Sequence, residues 1–152
     1  MDGGTEATML FLFEKPGPMT ATSGIRAGSG FISRDNDDQT AEATFNFMNQ
    51  AGIPRKLTVA WNVVPWWNGT RKITVSELRE GVELVRDLIA LLPRLRIVVL
   101  VGKKAARARP YLETKNLALF ASAHPSPLVR ASWPDRWKAI PTEWGSAARL
   151  AV

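Results

Sequence analysis

Side chains that can do chemistry stand near the ends of three separate apolar runs in this sequence. His124, the single histidine of the chain, follows one such run and precedes a Pro-Ser-Pro turn. Asn62 ends a second run, and Glu14 and Lys15 come directly after a third. An imidazole can donate a hydrogen bond or a proton, an amide both donates and accepts, and a carboxylate can orient water. Brought together, these groups would form a pocket for a planar, hydrogen-bonding heterocycle.

The alternation of apolar runs with amphipathic stretches predicts the elements that would hold these residues. Strands are expected over residues 9–13, 57–62, 96–102 and 117–121. Helices are expected over about 38–51, 74–92 and 103–112, with a helical or irregular tail from Trp133. Thr74 and Glu77 form a capping box that would open the second of these helices. This order predicts one α/β domain over residues 1–152, with residues 1–8 as a flexible N-terminus. Its architecture would be a three-layer α/β/α sandwich around a four-stranded parallel sheet.

A parallel sheet places the carboxyl ends of all its strands at one edge, where α/β proteins bind their ligands. Glu14, Asn62, Gly102 and His124 would then converge, and the free N–H groups after Gly102 could bind a phosphate. Phe31 lies beside glycines in a long connection, where an aromatic ring can approach a flat ligand. Each residue taken alone is also compatible with an ordinary turn. Their convergence is what favours a site.

The charge of the chain is unevenly distributed. The formal net charge is +6, yet residues 1–62 hold 5 Lys/Arg against 7 Asp/Glu, whereas residues 63–152 hold 15 against 7. Six basic residues and no acidic residue lie between Arg94 and Arg109. This asymmetry suits a polyanion whose phosphates are neutralised by Lys and Arg. A basic surface that only serves solubility is the alternative.

The absence of cysteine excludes several classes of site. Without cysteine there can be no disulfide, thiolate metal centre, iron–sulfur cluster or thiol nucleophile. The sequence has no run long enough for a membrane span, and the apolar residues 9–13 are too few for a signal peptide. We therefore expect a cytoplasmic protein without a metal or cofactor.

The order of the elements and their motifs resemble the uracil-DNA glycosylase superfamily. The His-Pro-Ser-Pro of residues 124–127, followed by Leu-Val-Arg, is similar to that superfamily's DNA-intercalation loop. The Asn-Val-Val of residues 62–64 resembles the strand end that reads uracil. The Phe-Glu-Lys-Pro-Gly of residues 13–17 stands where the family has its water-activating loop. Residues 99–105 resemble the family's Leu-Gly-x-x-Ala turn, and Phe31 stands where the family has the aromatic that stacks on uracil. The resemblance covers about residues 9–130.

The resemblance implies an enzyme that flips deoxyuridine out of the DNA stack and hydrolyses its N-glycosidic bond, leaving an abasic site. Phe31 would stack on uracil, and Asn62 would read its Watson–Crick edge with help from the backbone of Glu14 and Lys15. His124 would donate to O2 and stabilise the departing anion, while Glu14 would position water or stabilise the sugar cation. The implied DNA-binding residues are Ser126, Pro127, Leu128, Val129, Arg130, Lys103 and Lys104. The implied partner is uracil-containing DNA, bound by a monomer.

Two departures from the family pattern leave alternatives open. Lys15 stands where some members have an Asp or Asn that orients water, so Asp35, Asp37 and Asp38 are further candidates for that role. The Trp66-Trp67 pair replaces the Cys-Arg-Pro-Pro region of members with an iron–sulfur cluster. A glycosylase for mismatched or modified bases is therefore one alternative. A second is a non-catalytic DNA- or nucleotide-binding domain that keeps the pocket but has lost water activation, and Lys15 is the feature that favours it. A third is a small α/β nucleotide-binding module whose His-Pro-Ser-Pro is accidental, which the several matching motifs disfavour.

Overall fold

The strand β1 (Met9–Phe13) is the centre of the sheet, and all five of its side chains are buried. The computed structural model describes residues 3–16, 39–114 and 116–150. The other strands in this part of the chain are β2 (Thr58–Asn62), β3 (Ile97–Val101) and β4 (Ala118–Ser122). The helices found there are α1 (Gln39–Ala51), α2 (Val75–Ala90), α3 (Lys103–Ala106), α4 (Arg109–Leu112), α5 (Pro127–Ser132) and α6 (Pro134–Leu150).

The four strands are parallel and lie in the order β2-β1-β3-β4. In this register Phe13 is the partner of Asn62, and Leu12 is the partner of Leu100. The predicted parallel sheet is confirmed, and with it the expectation that the strand ends share one edge. Asn62 and the Glu14-Lys15 loop thus leave neighbouring strands side by side.

Each face of the sheet is covered by helices. Because successive strand residues point to opposite faces, Leu10 and Leu12 pack with the apolar side of α2, whereas Phe11 and Phe13 pack with α1 and α6. Burying an apolar side chain of this size contributes roughly 1.5–3 kcal/mol. The three-layer α/β/α architecture is confirmed, and β1 is fixed from both sides at the point where it delivers Glu14.

Two of the elements differ from the sequence expectation. The predicted helix over 103–112 is two short helices, because Pro110 has no N–H to donate to the carbonyl of Ala106. Residues 127–132 form a helix rather than a loop. The Ser126 hydroxyl accepts a hydrogen bond from the Val129 N–H (3.3 Å) and Pro127 occupies the first helical position, which together start α5.

The segment 3–8 also differs from the flexible N-terminus that the sequence predicts. It contains a 3-10 turn over Gly4–Glu6, and the Gly3 and Thr8 N–H groups donate to the carbonyls of Thr58 (2.7 Å) and Leu57 (3.0 Å). A β-carbon on Gly3 would lie 2.7 Å from the Lys56 carbonyl oxygen. Glycine at this position therefore permits the close approach that orders the segment. Residues 1–2 lie outside the described part of the chain.

None of the helices in the described ranges is long and apolar enough to cross a membrane.

Candidate functional site

Asn62 carries a buried side-chain amide at the end of β2. Only 2% of the residue's surface is exposed, and neither Oδ1 nor Nδ2 has a hydrogen-bond partner among the described residues. Leaving a buried polar group unsatisfied costs about 1–3 kcal/mol. An amide kept in this state at the ligand-binding edge of a parallel sheet is suited to a ligand that offers one donor and one acceptor.

The Glu14 carboxylate is held against the beginning of α3. Its Oε2 accepts a hydrogen bond from the Lys104 N–H at 3.0 Å. Gly102, which precedes the helix, has φ +97, and a β-carbon there would lie 2.5 Å from the same oxygen. Only glycine tolerates both that backbone angle and that approach. The Lys104 N–H, which the sequence assigned to a phosphate, is therefore occupied by Glu14.

The Lys15 side chain turns away from the strand edge into a buried polar network. Its Nζ donates to Asn68 Oδ1 (2.7 Å), the Lys72 carbonyl (2.9 Å) and Glu77 Oε2 (2.9 Å), and the side chain is 1% exposed. A buried ammonium needs such acceptors and a counter-charge. The ammonium thus ties the loop after β1 to the start of α2. A contribution of Lys15 to base recognition can come only from its backbone.

The carboxylate that balances Lys15 also caps a helix, as the sequence predicted. Glu77 accepts from the Thr74 N–H (3.0 Å), and the Thr74 hydroxyl accepts from the Glu77 N–H (3.1 Å). The Thr74 N–H and then Lys15 lower the pKa of Glu77 from 4.5 to about 2. This one carboxylate joins α2 to the loop that carries Glu14.

We expect the hydrogen bonds of Glu77 to make the free energy of unfolding depend on pH in the acidic range. A lowered carboxyl pKa in the folded state stabilises the fold above pH 4.5, and this contribution is lost as the pH falls from 4.5 towards 2. Urea unfolding of the wild type and of Glu77→Gln should therefore differ most near neutral pH, and the difference should shrink below pH 4.5. The exposed Glu80, replaced by Gln, is the matched control. A wild-type-to-variant difference that is constant from pH 7 to pH 3 would contradict this role of Glu77.

His124 reaches back across the sheet to the end of β1. It lies two residues after β4, yet its ring meets Phe13 edge to face, with centroids 6.0 Å apart and planes at 83°. The strand between them, β3, is followed by Gly102, which has no side chain. The half-buried imidazole is thereby placed beside the strand that delivers Glu14. The structure thus brings Glu14, Asn62 and His124 to the same edge.

The helix after His124 exposes one large apolar side chain. Leu128, in the first turn of α5, is 70% exposed, whereas Val129 is half-buried. The Arg130 guanidinium lies over the Trp137 ring, 4.7 Å from its centroid. Pro127 is exposed at the start of the helix and the Ser126 hydroxyl caps it. Leu128 is therefore the side chain of this segment best placed to enter a gap in a partner.

The two lysines after β3 have different surroundings. Lys104 Nζ donates to the Arg71 carbonyl at 3.1 Å, which anchors the segment that also surrounds Lys15. Lys103 is exposed, and its Nζ lies 5.5 Å from the centroid of the Trp133 ring. Of the two, Lys103 has the more accessible ammonium group.

Four of the predicted site residues lie outside the part of the chain that the structure describes, and one contact in the site was not predicted. Phe31 and the candidate carboxylates Asp35, Asp37 and Asp38 fall in residues 17–38, of which nothing is described. The contact of Glu14 with Gly102 was missed, although a glycine between a buried strand and a helix is a signal for close approach. Within the described ranges, no group of three or more His, Cys, Asp or Glu residues could hold a metal ion.

The fold of this chain is also found among known proteins. Residues 3–140 match the family model described as the Uracil DNA glycosylase superfamily. A solution NMR structure from Methanosarcina acetivorans, described as a candidate uracil DNA glycosylase, is similar with a TM-score of 0.53 and 16% identity. That match covers 96% of this chain and 92% of the other, and at this identity it shows a shared fold. No curated protein sequence is significantly similar to the chain.

Proposed function

The chain belongs to the uracil DNA glycosylase superfamily, and we propose that it releases uracil from DNA. It would hydrolyse the N-glycosidic bond of deoxyuridine and leave an abasic site. The family model supports the coarser class, a DNA glycosylase acting on a DNA substrate. The observation that carries this proposal is the Asn62 amide, which is buried and has no hydrogen-bond partner among the described residues.

The Asn62 amide complements the Watson–Crick edge of uracil. Oδ1 would accept from N3–H and Nδ2 would donate to O4, so that both unpaired atoms gain a partner in one step. The base reaches this position only if its nucleotide is flipped out of the stack. The backbone around Glu14 and Lys15, on the neighbouring strand, would border the bound base, and Phe31 would stack on it.

Cleavage places negative charge on the departing uracil and positive charge on the sugar. Residues around the pocket are suited to stabilise each of these charges. The C1′–N1 bond electrons leave with uracil, and the sugar becomes an oxocarbenium-like cation that water then attacks at C1′. His124 would donate to O2 of the departing anion. Glu14, fixed by the Lys104 N–H, would either receive the proton of the attacking water or stabilise the sugar cation.

The DNA itself would be held around this pocket. Leu128 would fill the gap left by the flipped nucleotide, with Pro127, Val129 and Arg130 beside it, because an exposed apolar side chain can enter an opened base step. Ser126, Lys103 and Lys104 would contact phosphates. We propose that the enzyme acts inside the cell as a monomer.

The test is a strand-cleavage assay. Labelled single- and double-stranded oligonucleotides carrying uracil, thymine opposite guanine, or hypoxanthine are incubated with the protein and then treated with alkali, which breaks abasic sites. We expect breaks at uracil and none in the matched thymine-only duplex. Intact uracil strands would overturn the proposal. Cleavage at another base would favour a mismatch or modified-base glycosylase, and binding alone would favour a protein that has lost catalysis.

A further inference from the structure

An exposed tryptophan flanked by cations lies outside the base pocket. Trp133 sits between α5 and α6 with 46% of its surface exposed. The Lys103 ammonium and the Arg136 guanidinium lie 5.5 Å and 5.9 Å from its ring centroid. A contact at this distance is near the outer limit of a cation–π interaction. Both cations belong to exposed residues, so an anion can reach them.

This surface is continuous with the candidate site. Lys103 directly follows Gly102, whose backbone lies against the Glu14 carboxylate, and Trp133 follows the helix that begins three residues after His124. Asp135, two residues after the tryptophan, is exposed in the first turn of α6. A ligand in the pocket would thus have neighbouring groups within reach of the indole.

We propose that Trp133 stacks on an unpaired base of single-stranded DNA adjacent to the target nucleotide. Lys103 and Arg136 would bind the phosphates on either side of that base. An indole face beside cations is the combination by which proteins hold single strands, because every base has a stacking face and a phosphate. In a duplex, neighbouring base pairs cover those faces, so a surface indole has little to stack on.

The inference rests on DNA being the partner in the proposed function, but not on which base is released. Its test therefore uses oligonucleotides without uracil. Fluorescence anisotropy measures binding of a labelled thymidine oligonucleotide and of the same strand paired with its complement. Loss of excision activity and loss of this binding are then separate results.

We expect Trp133→Ala to weaken single-strand binding by about 5- to 150-fold, the range for one lost base–aromatic stack. Duplex binding should change by less than about twofold, since no stack is lost there. Trp133→Phe should retain most of the single-strand affinity, and Tyr111→Ala, which removes an exposed aromatic on α4, should bind like the wild type. Wild-type single-strand affinity in Trp133→Ala would overturn the proposal, as would an equal loss on the duplex.

The phosphate contacts give a second measurement that leaves the tryptophan in place. Lys103→Gln and Arg136→Gln should each reduce the slope of log K against log salt by about 0.7 on single strands. Unchanged slopes in both variants would show that these cations do not contact phosphate and would contradict the subsite.

Discussion

Replacing Asn62 by Ala will leave a folded protein that has lost most of its uracil excision. In the proposed function the variant would lack both hydrogen bonds to the base, and at about 1.5 kcal/mol each their loss should lower kcat/KM by roughly 10²-fold. The amide has no partner among the described residues, so its removal breaks no hydrogen bond found there. Removing two buried polar atoms that lack a partner among the described residues offsets the small cavity, so the free energy of unfolding should change by less than about 1 kcal/mol.

The measurement combines steady-state excision from a uracil oligonucleotide with urea unfolding of the same samples. Asn46→Ala, which removes an exposed amide from α1, is the matched control and should match the wild type in both. A strongly destabilised Asn62→Ala would mean that the amide has a structural partner. A fully active variant would remove Asn62 from base recognition.

Replacing His124 by Ala will slow the bond-breaking step itself. A single donor aimed at developing negative charge contributes about 10²–10³-fold to the rate, and its loss should appear in single-turnover excision with enzyme in excess. The ring contacts Phe13 at its edge and is only half-buried, so the fold should tolerate the change. Binding of an oligonucleotide without uracil should be close to that of the wild type.

Two comparisons make this result specific. Ser132→Ala alters the helix that follows His124, at an exposed position, and should leave the rate unchanged. His124→Ala should lose single-turnover rate without losing affinity, whereas a residue that only held the loop would lose both. A His124→Ala enzyme within threefold of the wild-type rate would contradict the role of a donor to the leaving base.

The features that the sequence predicted correctly are those set by short-range patterns. The apolar runs of β1 and β3, the Thr74–Glu77 capping box and the alternation of strands with helices require only local periodicity. The parallel sheet followed from that alternation, and the convergence of Glu14, Asn62 and His124 followed from the sheet. Their common edge could therefore be predicted before any contact was known.

The features that the sequence did not reveal depend on contacts between distant residues. Lys15 finds its carboxylate partner 62 positions away, at Glu77. The Glu14 contact with Lys104 spans 90 positions. No local pattern marks either pair, because each depends on how α2 and α3 pack beside the end of β1. The same is true of Trp133, whose neighbour Lys103 comes from a different element.

The position of β1 in the sheet has a consequence for how the protein is made. Met9 pairs with Thr58, 49 positions later, and with Ile97, 88 positions later. The central strand therefore emerges from the ribosome before either of its neighbours exists. Its five uncharged, apolar residues form the kind of segment that self-associates when it is exposed. The run that anchors the finished sheet is thus the part of the nascent chain that needs protection until residue 101 has been synthesised.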